Sequence, residues 1–399
     1  MVSCFRCSVF SVVLAMTMVA GAAHAQVTVV KGFQKRLVAV NGFNGNPTLT
    51  EIVLNDVRLS GYLGLARPEA AEFIQQGAVT AAGTIECTVT HQVTKKVFLS
   101  RAYPATADMR RLAHTISDDI VMAITGQRGI AQTKIAFILK RGKNKELAVM
   151  DYDGANIRQL TQDGLCAHPR WSPDGTRILY TSYWQSFPDI LEVNLQTRQR
   201  RVVARFPGLN SGADYSPDGQ RIALILSKDG NPELYTMNVE GGGLQRLTQT
   251  PGAESSPTWS PDGQQIAYVS DDRGSPQVYL IHRNGGEPQR LTISPSYNTE
   301  PAWSRPPPGS DMKPMLAITS RVGGKFQIGL YDESTREVRP LAADGADNED
   351  ASWAPNGRLL VFAKTRNWRS RLYLLDVITG EQLELPALEG ASEPSWGPQ

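Results

Sequence analysis

The chain has 399 residues, enough for two domains, and its 41 basic side chains nearly balance 39 acidic ones. Near-neutrality excludes a nucleic-acid partner held by bulk positive charge. With 35 Gly and 25 Pro, about 15% of all residues, the composition fits a loop-rich β protein and falls short of a disordered chain.

Residues 1–25 read as a cleaved signal peptide. Arg6 supplies the positive start, Val9 to Val19 the apolar run, and Ala23-His24-Ala25 the small-x-small cleavage pattern. The run is about half the length a membrane crossing needs. Cleavage after Ala25 gives an exported, soluble chain that begins at Gln26. Of four cysteines, Cys87 and Cys166 remain after cleavage. Two free thiols are the preferred reading, and an interdomain bridge is the alternative, since an exported chain meets an oxidising compartment.

Residues 26–130 form a small α/β domain in this reading. Arg36 to Val40 reads as a strand. Asn46-Pro47 has the cap-then-proline form of a helix start, and Leu49, Ile52, Val53 and Val57 keep helical spacing up to Gly61. Pro68 to Gln76 is expected to be a short helix stopped by Gly77. Thr84 to Leu99 alternates as one or two strands. From Asp108 to Thr125 the apolar residues line one helical face, with Gly126 as the stop.

From residue 131 to the C-terminus a phrase recurs: Trp171-Ser-Pro-Asp-Gly, Tyr215-Ser-Pro-Asp-Gly, Trp259-Ser-Pro-Asp-Gly, then Trp303, Trp353-Ala-Pro-Asn-Gly and Trp396. The steps are 44, 44, 44, 50 and 43 residues. Extra residues in the Pro306–Lys313 turn account for the long step. Pro-Asp-Gly is a tight-turn signal, and each period holds four short strands, the content of a β-propeller blade. An open solenoid would need capping ends, and none is visible. Thr133 to Thr161 supplies the second, third and fourth strands of a blade, and Ser392 to Trp396 supplies a first strand. Together they make one composite blade. The expected architecture is thus two domains, with a small α/β N-terminal domain followed by an all-β six-bladed β-propeller closed by the C-terminal strand. The recurrent aromatic is expected to pack between blades.

Catalytic and metal motifs are not evident. His91, His114, His168 and His282 have no metal-ligand spacing, and there is no Gly-x-Ser-x-Gly elbow. Asp151-Tyr-Asp-Gly154 lacks the remaining ligands of a calcium loop and reads as a turn. No cofactor, metal or enzymatic activity is expected. Three residues before each repeat aromatic stand His168, Gly212, Ser256, Glu300, Asp350 and Glu393. Their acids would give one mouth of the central channel a negative field. The alternative is that they are solvated loop carboxylates.

His114-Thr-Ile-Ser-Asp118, Thr125-Gly126, Gly129, Thr133-Lys-Ile-Ala-Phe137, Asp151-Tyr-Asp-Gly154 and Asn298-Thr-Glu-Pro301 before Trp303 make the chain resemble the TolB family, across its whole length after residue 25. The resemblance implies a non-catalytic periplasmic adaptor of the Tol–Pal system, monomeric, supporting outer-membrane integrity and constriction at cell division. It implies a propeller that binds the lipoprotein Pal through Thr299 and Glu300, and the repeat spacing adds Asp350, Glu393, Ser256 and His168 as supporting members of the same rim. It also implies that TolA is bound by the N-terminal segment Gln26, Val27, Thr28, Val29 and Val30. That segment is short and β-branched, suited to adding a strand to a partner's sheet or to staying tucked in its own domain. Basic loops holding Arg321, Lys325, Arg366 and Arg369 are expected to surround the rim. The alternative function is a secreted propeller that binds a sugar or peptide, or a vestigial peptidase propeller.

Overall fold

A computed structural model describes residues 34–185, 187–307, 312–342, 344–386 and 388–399. The signal peptide and Gln26–Val30 lie outside these residues.

The first domain is a five-stranded sheet with two helices. Strand β1 (Arg36–Asn44) leads into helix α1 (Pro47–Leu59), followed by β2 (Leu63–Leu65), β3 (Phe73–Val79), β4 (Ile85–His91), β5 (Val97–Tyr103) and helix α2 (Met109–Thr125). The order across the sheet is β2-β1-β3-β4-β5. Asn46 caps α1 by accepting from the Leu49 N–H, and Asp108 caps α2 by accepting from the Arg111 N–H. Gly126 ends α2 at φ 72°, in the left-handed region where glycine carries no Cβ penalty. The helices bury Leu49, Val53, Val57, Ile116, Ile120 and Ile124 against Val38, Phe73, Ile85 and Val89 of the sheet.

The helix expected over Pro68–Gln76 is not formed. Pro68–Ala70 is a single 3₁₀ turn, Ala71 is extended, and the chain continues as β3. The residue that misleads is Gln75. Its polar side chain masks the strand alternation, yet it is fully buried, accepting from the Gly42 N–H at 3.3 Å and donating to Cys87 Sγ at 3.7 Å. Cys87 and Cys166 are both free and buried, so the bridge considered from sequence is not made.

Six four-stranded antiparallel sheets follow, five of them with their strands in chain order from the centre outward. Blades 1 to 5 begin with inner strands Cys166–Trp171, Asn210–Tyr215, Glu254–Trp259, Asn298–Trp303 and Asp347–Trp353. Blade 6 is the composite. Its inner strand Ala391–Trp396 pairs with Lys134–Arg141, with Ala391 opposite Leu139 and Trp396 opposite Ile135. The ring closes as expected, because the C-terminal strand covers the edge that Lys134–Arg141 would otherwise leave unpaired.

The recurrent aromatics tie neighbouring blades together. Trp171 Nε1 donates to the Ser395 carbonyl (2.9 Å), Trp259 Nε1 to that of Asp214 (3.2 Å) and Trp353 Nε1 to that of Ala302 (2.9 Å). Each acceptor precedes the aromatic of the blade before. In the turns, the Arg177 N–H donates to Ser172 Oγ and the Thr176 N–H to Asp174 Oδ1. The same pair of bonds recurs at Ser216/Asp218 and Ser260/Asp262. These local bonds make Ser-Pro-Asp-Gly a self-contained turn. Among the described residues no helix is long and apolar enough to cross a membrane.

Candidate partner-binding rim and interdomain latch

Every residue three positions before a repeat aromatic has a left-handed backbone: His168 (φ 52°), Gly212 (60°), Ser256 (49°), Glu300 (50°), Asp350 (57°) and Glu393 (48°). At each of these points the pairing of the inner strand with its neighbour shifts register. The extra residue is a β-bulge that bends the inner strand. All six residues line one cavity at the channel mouth, together with Arg170, Pro257, Pro301 and Pro394. The structure therefore gathers His168, Ser256, Glu300, Asp350 and Glu393 into one rim, as the sequence spacing implied. Thr299 lies beside Glu300, in the last pair before the bulge, opposite Thr319.

The rim carboxylates brace one another's strained backbone. Glu300 Oε2 accepts from the Asp350 N–H at 2.8 Å and from Thr319 Oγ1 at 2.9 Å. Glu393 Oε2 accepts from the His168 N–H at 2.7 Å. Asp350 has its carboxyl pushed well above the usual range by burial, and further by Glu300, Glu393 and Glu349, against the pull of Arg170. Burial, with Glu300 and Asp347, pushes Glu349 up to about 7. Arg170 in the cavity and Lys145, 3.7 Å from Glu393, offset only part of this negative charge, and a donor or cation brought in by a partner would relieve the crowding.

The basic loops stand on the same face but are not free. Lys325 Nζ meets Asp347 at 2.9 Å, Arg366 meets Asp344 at 3.2 Å, Arg369 meets Glu389 at 3.5 Å, and Arg321 lies over the Phe326 ring.

A second constellation joins the two domains. His114 Nδ1 and Asp56 Oδ2 are 2.8 Å apart, and the Tyr152 hydroxyl donates to Asp56 Oδ1 at 2.8 Å. Arg110 bonds Asp151 at 3.1 Å and also reaches Asp153. Burial opposes protonation of His114, but the Asp56 carboxylate outweighs it and raises the imidazole pKa. Asp56, His114 and Asp153 form a buried cluster with metal-type spacing. Asp56 is already occupied by His114 and Tyr152, and Asp153 by Arg110, so the geometry serves as a hydrogen-bonded latch. Sequence reasoning read Asp151–Gly154 only as a turn, and it missed the role of Tyr152 and Asp153. Asp118 fixes the entry to the propeller by accepting from the Ala131 N–H at 2.9 Å. Gly129 packs on it so closely that a Cβ would lie 2.0 Å from Asp118 Oδ1.

A closed six-bladed propeller, latched to an N-terminal α/β domain and opening on an acidic, bulged rim, defines the class of the protein. Residues 121–399 match the model of the TolB beta propeller domain. The chain belongs to the TolB family. It is 33% identical over 233 residues to the Tol-Pal system protein TolB of Chromobacterium violaceum, covering 50% of this chain and 54% of that protein. It is 47% identical over 103 residues to the Tol-Pal system protein TolB of Jannaschia sp., covering 25% of this chain and 23% of that one. The matched segments thus span about a quarter to a half of these curated relatives. The crystal structure of TolB from Acinetobacter baumannii superposes with a TM-score of 0.82 at 26% identity, covering 92% of this chain and 97% of that one.

Proposed function

We propose that the protein is a non-catalytic periplasmic adaptor of the Tol–Pal system, whose propeller rim binds the lipoprotein Pal and whose segment 26–30 binds TolA. Its relatives carry the Tol-Pal name, which supports membership of that system and a role in outer-membrane integrity and cell division. One observation carries the rim assignment. Three acids of adjacent blades, Glu300, Asp350 and Glu393, are held in left-handed backbone around one cavity. Strained non-glycine residues persist where function holds them. A partner's cationic or N–H-rich segment entering the throat is bound by Glu300 with Thr299 beside it, and Asp350, Glu393, Ser256 and His168 complete the rim.

The test is capture of purified Pal. Glu300→Lys places a like charge against the incoming group, a change that costs about 2–5 kcal/mol at a buried pair, and capture is expected to be lost. Glu300 also accepts the Asp350 N–H, so Glu300→Gln, which keeps an acceptor oxygen, is the control for folding. Its melting temperature should match the wild type. Wild-type capture of Pal by Glu300→Lys would move the site off this face.

A further inference from the structure

The rim face is divided in two by how each blade connects its second and third strands. In blades 1, 2 and 3 the strands end at Ser182, Leu226 and Ser270 and resume at Asp189, Glu233 and Gln277, leaving open loops. In blades 4, 5 and 6 the ladder runs on to its last possible rung, pairing Val322 with Lys325, Arg366 with Arg369 and Arg141 with Asn144. Each closes through a two-residue turn. These are the blades that carry Glu300, Asp350 and Glu393. The acidic half of the throat is therefore walled by three zipped, basic hairpins, and the other half is bordered by loops.

At the tips the turn chemistry differs. Gly323-Gly324 closes blade 4 at φ 60° and 80°, and Gly142 opens the blade 6 turn at φ 62°. Blade 5 closes through Asn367 and Trp368, at φ 49° and 64°. A type I′ turn needs φ > 0 at both positions, so glycine or asparagine fits and a bulky side chain is strained. Trp368 occupies that strained position with its side chain 99% exposed. Neither turn propensity nor burial accounts for it. Arg366 and Arg369 pair at the last rung before the turn, so the tip is an exposed indole with two cationic residues at its base.

We propose that Trp368 is the apolar anchor of the Pal site. It inserts into a pocket on the partner rimmed by carboxylates, toward which Arg366 and Arg369 turn from their exposed pairs with Asp344 and Glu389, while the partner's cationic or N–H-rich segment enters the acidic throat. This rests on the Pal-binding reading of the rim and adds a specificity-determining residue to it. The occupant is chosen by charge complementarity, because the face offers acid at its centre and base with an aromatic at its wall. A zipped hairpin also presents the indole without the ordering cost of a loop, and tryptophan is the residue type most enriched among interface hot spots.

The experiment is titration of the full chain with purified Pal. Trp368→Gly is expected to weaken binding about tenfold or more, while its melting temperature stays unchanged or rises as the turn loses its strain. A purely structural role predicts the opposite, with lower stability and intact binding. Trp368→Phe, which keeps an aromatic, should bind within about threefold of wild type, as expected for an anchor that works by apolar contact. If Glu300→Lys fails to bind and Trp368→Gly binds as wild type, the anchor is wrong and the rim stands. If both bind as wild type, the rim reading fails as well. Loss of binding to anionic phospholipid vesicles by Trp368→Gly, with Pal binding intact, would make the tip a membrane contact and overturn the proposal.

Discussion

Glu254→Gln is expected to stabilise the propeller at alkaline pH and to flatten its pH dependence. Glu254, at the start of the blade 3 inner strand, is 2% exposed, and Glu233 in blade 2 is fully buried. Each has a buried Oε2 with no N–H or O–H partner. One blade further on, the equivalent positions hold Asn298 and Gln277, and there the Asn298 amide donates to Gln277 Oε1 at 3.0 Å. Glu254 therefore occupies a donor's place, and it can donate only when protonated. Arg246 Nη2 lies 2.8 Å from Glu233 and has no such contact with Glu254. Thr250 Oγ1 donates to Glu254 Oε1 at 2.9 Å, and Ser270 and Tyr268 of blade 3 are near the carboxyl. Asp229 and Tyr235 complete the charged surroundings, next to Arg246. Burial, with the Glu233 carboxyl, pushes Glu254 up to about 8.

A carboxyl raised in the folded state adds stability that is fully present below its unfolded pKa. That stability is lost as pH rises through the folded one, because the folded chain then holds the extra proton. The window is from the ordinary 4.5 to about 8. At about 1.4 kcal/mol per unit the ceiling is on the order of 5 kcal/mol, and sharing of the proton within the pair lowers it to about 2–3 kcal/mol. Glutamine keeps the donor and removes the titration. By thermal unfolding at pH 9, Glu254→Gln should melt about 4–12 °C above wild type, at 2–4 °C per kcal/mol for a domain of this size, with little difference at pH 5. The difference curve isolates Glu254 from Glu349 and Asp350, which titrate in both proteins. Parallel melting curves from pH 5 to 9 would refute the shared proton.

Two truncations test the ends of the chain. Deleting residues 392–399 removes the strand that pairs with Lys134–Arg141 and the bond from Trp396 Nε1 to Thr133 Oγ1. It should cost several kcal/mol of stability, since a whole ladder and its packing are lost, and an unchanged melting temperature would show that closure is not stabilising. Deleting residues 26–32 should abolish TolA binding and leave Pal binding intact or stronger. TolA binding equal to wild type would remove that segment from the proposal.

The repeat was legible because its chemistry is local. Ser172, Asp174 and Arg177 complete their turn bonds within five residues, so period and blade count follow from reading along the chain. The bulge was not legible, because His, Gly, Ser, Glu, Asp and Glu share no propensity and only Gly212 hints at φ > 0. The spacing located the rim residues, while the backbone that holds them is set by the inner strand's bend. Gln75 misled for a tertiary reason, being a polar residue buried by Gly42 and Cys87 rather than by its neighbours. The latch escaped for reasons of distance. Asp56 and Tyr152 stand 96 residues apart, and nothing in the Asp151–Gly154 motif points to Asp56 until α1 docks on blade 6. The Glu254 pair was visible in principle, since superposing the repeats aligns it with Asn210 and Asn298. A carboxylate under a row of amides is a signal that periodicity alone does not read.

The costs carried by the rim fall at particular places. If closing the ring were the whole requirement, glycine would serve at all six bulges, as it does at Gly212. Holding a non-glycine residue in left-handed backbone costs about 1–2 kcal/mol each. Where the bulge residue is Glu300 or Glu393, its carboxylate is spent bracing the next bulge, at Asp350 and His168. Asp350, so braced, is crowded by acids that disfavour its charge. The same blades end in the zipped hairpins, one of which holds a tryptophan at a glycine's angle. The Ser-Pro-Asp-Gly turns at the far end of the inner strands carry no comparable strain, since glycine occupies their left-handed positions at Gly175, Gly219 and Gly263. Left-handed backbone at all six bulges, with acids at three adjacent ones, fits the proposed partner site on a scaffold whose stability comes from elsewhere. The blade interfaces supply that stability through their buried aromatics, which lets the rim keep residues that the fold alone would not choose.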